Sequence, residues 1–200
     1  MKNKGKFITF EGVDGAGKST HIDEVISFLE SQKISVKRTR EPGGTKLGEK
    51  LRDLLLHDDM DPETETLLMF AARRQHIAEV IKPALDEGLF VVSDRFTDAT
   101  YAYQYGGKHV AYSKIEILEA WVHPDLKADL TLLFDLPVEV SIDRLKKNRT
   151  PDKFEKESEA FFNRLRNVYI DLARQHPNRY RIINANQPIE SVSHDVIEAI

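Results

Sequence analysis

Gly12-Val13-Asp14-Gly15-Ala16-Gly17-Lys18-Ser19 matches G-x-x-x-x-G-K-[ST] at every fixed position. The run before it, Phe7-Ile8-Thr9-Phe10-Glu11, is short, apolar and β-prone, as a buried strand is. After it, Ile22, Val25, Ile26 and Leu29 recur on one face of a helix. Strand, glycine turn and helix are the context that a phosphate-binding loop needs. The glycines let backbone N–H groups turn inward around a phosphate, and the helix N-terminus adds partial positive charge. The sequence therefore predicts a nucleoside triphosphate site over Gly12, Val13, Asp14, Gly15, Ala16, Gly17, Lys18, Ser19 and Thr20. Lys18 is placed to reach the β- and γ-phosphates, and the Ser19 hydroxyl to bind the Mg²⁺ that accompanies them.

Two hundred residues suit one α/β domain, 1–200, with a sizeable core. The formal charge of −4 argues against a general binder of nucleic acid or membrane surfaces. No cysteine is present, which excludes disulfides, thiolate catalysis and Cys-based zinc sites. The seven histidines show no H-E-x-x-H spacing. The basic segment Met1 to Lys6 leads into the first strand without an apolar signal core, so a cytoplasmic location is expected.

Five segments read as buried strands: Phe7 to Glu11, Ser35 to Arg40, Phe90 to Asp94, Leu130 to Leu136 and Tyr180 to Ala185. Helical patterns separate them. Leu47, Leu51, Leu54 and Leu55 share one face, and Phe161, Leu165, Val168 and Leu172 another. Ile77, Val80, Ile81 and Leu85 share a third, within a long helix starting near Pro62. The alternation implies a five-stranded parallel sheet covered by helices on both faces. Ligands of such sheets sit beyond the carboxyl ends of the strands. That selects Gly12 onward, Arg40-Glu41, Asp94-Arg95 and Asp135. The polar stretch 146–159 is expected to be a mobile flap.

Val91-Val92-Ser93-Asp94 is an apolar strand ending in a carboxylate, a placement used near Mg²⁺ beside phosphate loops. Arg95 follows at once and supplies a planar fork suited to phosphate oxygens. Leu132-Leu133-Phe134-Asp135 has the same shape without the arginine. In Thr39-Arg40-Glu41-Pro42-Gly43-Gly44-Thr45 a tight reversal holds Arg40 at the sheet edge. Arg73 and Arg74 sit among Phe70, Ala71 and Ala72, where a buried guanidinium needs a partner. Arg40, Arg73 and Arg95 together exceed what a triphosphate requires, which suggests a second, acceptor phosphate.

The segments EGVDGAGKST, TREPGGT, MFAARRQH, DRFTDATYAYQ and DKFEKE, in this order, resemble those of bacterial thymidylate kinases. The resemblance implies the nucleoside monophosphate kinase fold and transfer of the ATP γ-phosphoryl group to dTMP with Mg²⁺, usually by a homodimer. By position it implies that Asp14 holds the sugar 3′-hydroxyl and that Arg40, Arg73 and Arg95 surround the dTMP phosphate. It further implies that Thr100 and Gln104 read the thymine edge and that Tyr103 crowds the 2′ position. Phe70 is expected to stack on thymine, although many relatives carry the aromatic where this chain has Met69.

An arginine should cover the transferring phosphoryl group. Some relatives carry it in the loop at the position of Gly15, so this chain resembles the type that uses a flap arginine, Arg149 first and Arg144 second. The flap departs from the commoner D-R-F/I-E in having Lys153, and Lys108 stands where relatives often have Arg. Two other readings remain: a kinase for another nucleoside monophosphate or a deoxynucleoside, and a non-catalytic nucleotide switch. Against the switch, the chain carries no N-K-x-D or L-S-G-G-Q segment.

Overall fold

The computed structural model describes residues 5–148, 153–155 and 157–200. Five parallel strands form one sheet in the order β2-β3-β1-β4-β5. Strand β1 (Phe7–Glu11) is buried along its whole length. A central strand of a parallel sheet is covered on both faces, and its continuous apolar run satisfies that. It is flanked by β3 (Phe90–Asp94) and β4 (Leu130–Asp135). The edges are β2 (Val36–Arg40) and β5 (Tyr180–Asn184), and they carry the exposed positions. β2, β4 and β5 are each one residue shorter than the sequence pattern suggests.

Helices pack around this sheet. Helix α1 (Lys18–Ser31) leaves the glycine loop and buries Ile22, Val25 and Leu29. Helix α2 (Lys46–His57) begins at Thr45, whose hydroxyl accepts from the Gly48 N–H. Its leucine face is divided: Leu55 is buried, whereas Leu47 and Leu54 are exposed. Helix α3 (Pro62–His76) is capped by the Asp61 carboxylate and widens through a π-helical stretch, Ile77–Ile81, into α4 (Lys82–Asp86). This is the long helix expected from Pro62, with Ile77, Ile81 and Leu85 inward.

After β3, the short α5 (Thr97–Thr100) opens into a π-helical segment, Tyr101–Gly107. Tyr101, Ala102, Tyr103 and Gln104 are all buried there. The segment lies so close to α8 (Glu159–Gln175) that a Cβ on Gly107 would come 2.3 Å from the Phe161 ring. Arg164 of α8 donates to the carbonyls of Gly106 and Gly107, both at 3.0 Å. Helices α6 (Tyr112–Val122), α7 (Val138–Asn148) and α9 (Ile189–Glu198) complete the chain.

The chain leaves β1 toward β2 and β3 on one flank and later reaches β4 and β5 on the other. The carboxyl end of β1 is thus the switch point where such sheets open a crevice. The register sets Phe10 beside Asp94, and Asp94 beside Arg40, at that edge.

Candidate active site

The loop after β1 wraps tightly. Gly15 has φ +77°, and a Cβ there would lie 2.6 Å from the Ser141 carbonyl of α7. A side chain at this position would require the loop or the Ser141 backbone to shift, which disfavours a loop arginine. Lys18 is buried, and its Nζ donates to the carbonyls of Gly12 and Val13, both at 2.9 Å. Burial, then Arg95, push the Lys18 ammonium down to about 8 against the pull of Asp94, Asp14 and Glu11. Ser19 and Thr20 are exposed in the first turn of α1. Arg144 of α7 lies beside the loop, with Nη1 3.9 Å from where a Gly17 Cβ would be and Nη2 donating to the Ala185 carbonyl.

Asp94 ends β3 with its Oδ1 buried and without a hydrogen-bond partner. Among the described residues no three His, Asp or Glu side chains gather around a point. A hydroxyl at Ser19 and one spare carboxylate oxygen fit Mg²⁺ that arrives with a triphosphate, since this ion keeps waters and takes few protein ligands.

Arg95 is the hub. Its backbone takes the left-handed region, φ +69°, uncommon for a side chain of this size and frequent at functional sites. Nη1 donates to the Gly12 carbonyl and the Tyr169 hydroxyl, each at 3.1 Å. Nη2 donates to Asp14 Oδ1 at 2.7 Å and to the Tyr103 hydroxyl at 2.9 Å. Tyr103 in turn donates to Asp14 Oδ2 at 2.5 Å. Burial would raise the Asp14 carboxyl, but Arg95, Lys18 and Tyr103 outweigh it and hold it at about 2. Burial pushes the Tyr103 phenol well above its usual value, with Asp14 adding to it against Arg95, so Tyr103 remains a donor.

Behind this cluster is a cavity of about 100 Å³ lined by Asp14, Arg73, Arg95, Thr100, Tyr103 and Gln104, among others. One wall is the face of α3 that carries Glu65, Met69 and Arg73, spaced four apart along the helix. Arg73 is committed to a buried network. Its Nε donates to Glu41 Oε2 at 2.7 Å, and its Nη2 to Thr100 Oγ1 at 3.0 Å and the Phe96 carbonyl at 3.2 Å. His76 Nδ1 also contacts Glu41, at 2.9 Å. Burial alone would raise Glu41, but Arg73 and then His76 hold it below the ordinary carboxylate range. The remaining Arg73 Nη1 is buried without a hydrogen-bond partner.

Three expected site residues sit differently from the sequence reading. Arg40 does not line the cavity; it is half exposed at the sheet edge and paired with Glu49 at 2.8 Å. Phe70 does not line it either. Neighbouring helix residues point about 100° apart, so Phe70 lies under the Arg73 guanidinium, 4.8 Å from it, and beside His123, while Met69 forms the wall. Arg73 is held by a carboxylate instead of being spare for a phosphate. Arg149 lies outside the described residues.

Residues to which the sequence assigns no individual role also build the site. Glu11 is fully buried, with Oε1 accepting from the Phe96 N–H and Oε2 from the Tyr169 hydroxyl. Glu41, Arg52 and Phe154 line the cavity, and Glu65 lies behind it. For Glu65 one signal was available: an acid four residues before Met69 and eight before Arg73 shares their face.

A larger groove, of about 840 Å³, opens between α5, α6 and the end of α8. It holds neither the glycine loop nor Arg73 or Arg95, and its own Arg179 is tied to Asp98 at 2.6 Å. The phosphate-directed groups converge on the smaller cavity.

A glycine loop at the switch point and an arginine–aspartate–tyrosine cluster at its lip define a P-loop phosphotransferase with an acceptor pocket beside the donor site. Residues 10–196 match the family model described as Thymidylate kinase. The thymidylate kinase of Methylobacillus flagellatus is 62% identical over 98% of this chain and 96% of its own length. That of Cupriavidus taiwanensis is 58% identical over 98% of each chain. The crystal structure of thymidylate kinase from Ehrlichia chaffeensis superposes with a TM-score of 0.80 at 34% identity, covering 98% of this chain and 97% of the other. The chain belongs to the thymidylate kinase family.

Proposed function

We propose that this protein transfers the γ-phosphoryl group of ATP to dTMP, giving ADP and dTDP. The observation that carries the reading is the Arg95–Asp14–Tyr103 cluster, which joins the phosphate loop to the pocket wall within 2.9 Å at every contact. Lys18 and the loop amides hold the β- and γ-phosphates. The two carbonyls that Lys18 now contacts are exchanged for phosphate oxygens, whose negative charge favours the ammonium form. Ser19, with Asp94 nearby, would hold the Mg²⁺ that accompanies ATP, which would supply positive charge against the phosphate oxygens. Arg95 binds the acceptor phosphate and aligns it with the donor, which is most of what such a transfer asks of a protein. Arg149, with Arg144 beside the loop, is assigned to the transferring group.

Asp14 accepts from the sugar 3′-hydroxyl, and Tyr103 packs where a 2′-hydroxyl would project. The base lies over Met69, with Arg73 Nη1 donating to thymine O4 and Gln104 accepting from N3–H. Thr100 acts by orienting Arg73. Arg40 is assigned no more than a peripheral role. A second copy of the chain is expected on α3 and α6, which pack together and leave Leu67, Ile117 and Trp121 exposed. The reaction is assigned to the cytoplasm.

A coupled assay of ADP release with ATP, Mg²⁺ and a panel of nucleoside monophosphates tests the reading. dTMP is expected to be the best acceptor. Good turnover of another nucleotide with none of dTMP would transfer the assignment to that nucleotide.

A further inference from the structure

We infer that Glu65, which lies behind the pocket wall, is the positioning residue that fixes the amide of Gln104 and so decides which base edge the pocket accepts. The inference rests on the base-reading role of Gln104 proposed above.

Glu65 has no solvent exposure. Its Oε1 accepts from Gln104 Nε2 at 3.0 Å. Its Oε2 lies 2.9 Å from Lys108 Nζ and 2.9 Å from Lys153 Nζ. A buried carboxylate is retained as an anion where cations are paired with it, and here two ammonium groups share one oxygen. An ionised carboxylate only accepts hydrogen bonds. The end of the Gln104 amide that meets it must therefore be the NH₂ group. The two ends of an amide have nearly the same shape, so sterics alone would leave the orientation open. Glu65 closes it, leaving the Gln104 carbonyl as the end turned from Glu65.

The consequence for the base follows from hydrogen-bond chemistry. Thymine offers an acceptor at O4 and a donor at N3. Cytosine offers a donor at N4 and an acceptor at N3. A pocket presenting the Arg73 N–H and the Gln104 carbonyl matches the first edge and opposes the second. Arg73 and Glu65 lie on the same face of α3, so one helix supplies the donor directly and the acceptor through Gln104.

The test compares kcat/KM for dTMP, dUMP and dCMP in the wild type and in Glu65→Gln, with folding checked by thermal unfolding. An amide at position 65 both donates and accepts, so Gln104 is released to turn over. The dTMP-to-dCMP ratio is expected to fall about 10- to 100-fold. The dTMP-to-dUMP ratio should hold, because those two bases share the edge being read. A general loosening of the pocket would move both ratios, and that outcome, or two unchanged ratios, overturns the inference. Gln104→Ala separates it from the base reading. If Gln104→Ala lowers the dTMP-to-dCMP ratio and Glu65→Gln does not, the role of Glu65 fails alone. If Gln104→Ala leaves the ratio intact, the base reading fails with it. Should Glu65→Gln not fold, a crystal structure of the unaltered protein with dTMP decides. Gln104 bridging Glu65 and the base N3 is expected, and Gln104 turned away from Glu65 overturns the inference.

Discussion

Arg95 Nη2 lies 2.7 Å from Asp14 Oδ1, so the end of β3 is ion-paired to a residue inside the phosphate loop. Donor and acceptor sides of the site are thereby one electrostatic unit. Removing the guanidinium in Arg95→Ala is expected to lower kcat/KM for dTMP about 10²- to 10³-fold. Arg95→Lys should recover little, because one ammonium cannot serve Asp14, Tyr103, Tyr169 and the Gly12 carbonyl together. Steady-state kinetics of both variants decide; near-normal rates in either contradict the assigned role.

Glu41 balances Arg73 inside the core, where the two side chains are 5% and 2% exposed. Glu41→Gln leaves the guanidinium buried without its counter-charge. The expected loss of stability is about 3–5 kcal/mol, the usual cost of breaking a buried pair from one side. Urea unfolding measures it, and a loss below about 1 kcal/mol would show that Arg73 finds another partner.

Glu11 predicts a pH dependence of stability. Burial, with Asp98 adding to it, pushes its carboxyl up to about 8 against Arg95 and the Phe96 and Tyr169 hydrogen bonds, from 4.5 in the open chain. Between those values the folded protein holds a proton that the unfolded chain has released. Stability therefore falls as pH rises through the window, by up to about 1.4 kcal/mol per pH unit from this group. Glu11→Gln, which stays neutral, should lose that slope. Denaturant midpoints measured from about pH 5 to pH 8 test it, and parallel curves for the two proteins refute it.

Gly15→Ala places a methyl group against the Ser141 carbonyl and a side chain at φ +77°. The left-handed conformation alone costs about 1–2 kcal/mol, and the contact adds to it. ATP affinity measured by titration calorimetry should fall at least tenfold while the sheet core is untouched. Wild-type affinity would mean that the loop adapts without cost.

The glycine loop and the central strands were legible because each obeys a local rule. Fixed glycine spacing marks the one, and unbroken apolar runs mark the other, to within a residue at β2, β4 and β5. Side-chain direction was less legible. Phe70 and Met69 are adjacent, and only the set of the helix shows that Met69 faces the cavity. Arg40 closes a strand as Asp94 does, yet it stands on the edge strand and finds Glu49. Glu41 and Glu65 resemble surface acids in sequence. Their burial depends on cations brought from far along the chain, Arg73 to Glu41 and Lys108 and Lys153 to Glu65. No local pattern encodes such pairs.

Phe154 of the flap segment lines the acceptor cavity, edge-on to Tyr103 at 5.7 Å and almost fully buried. The space beside it, about 100 Å³, is well below the roughly 300–1,000 Å³ of ordinary ligand pockets. A nucleotide seated there requires the wall to open, and displacement of the Phe154 ring is one way to open it. A ring displaced in this way would be a tethered competitor at fixed local concentration, and one resident for about nine-tenths of the time would weaken apparent acceptor affinity about tenfold. Acceptor affinity would then depend partly on how tightly the protein binds itself, and a smaller residue at 154 is expected to admit dTMP faster while sheltering it less.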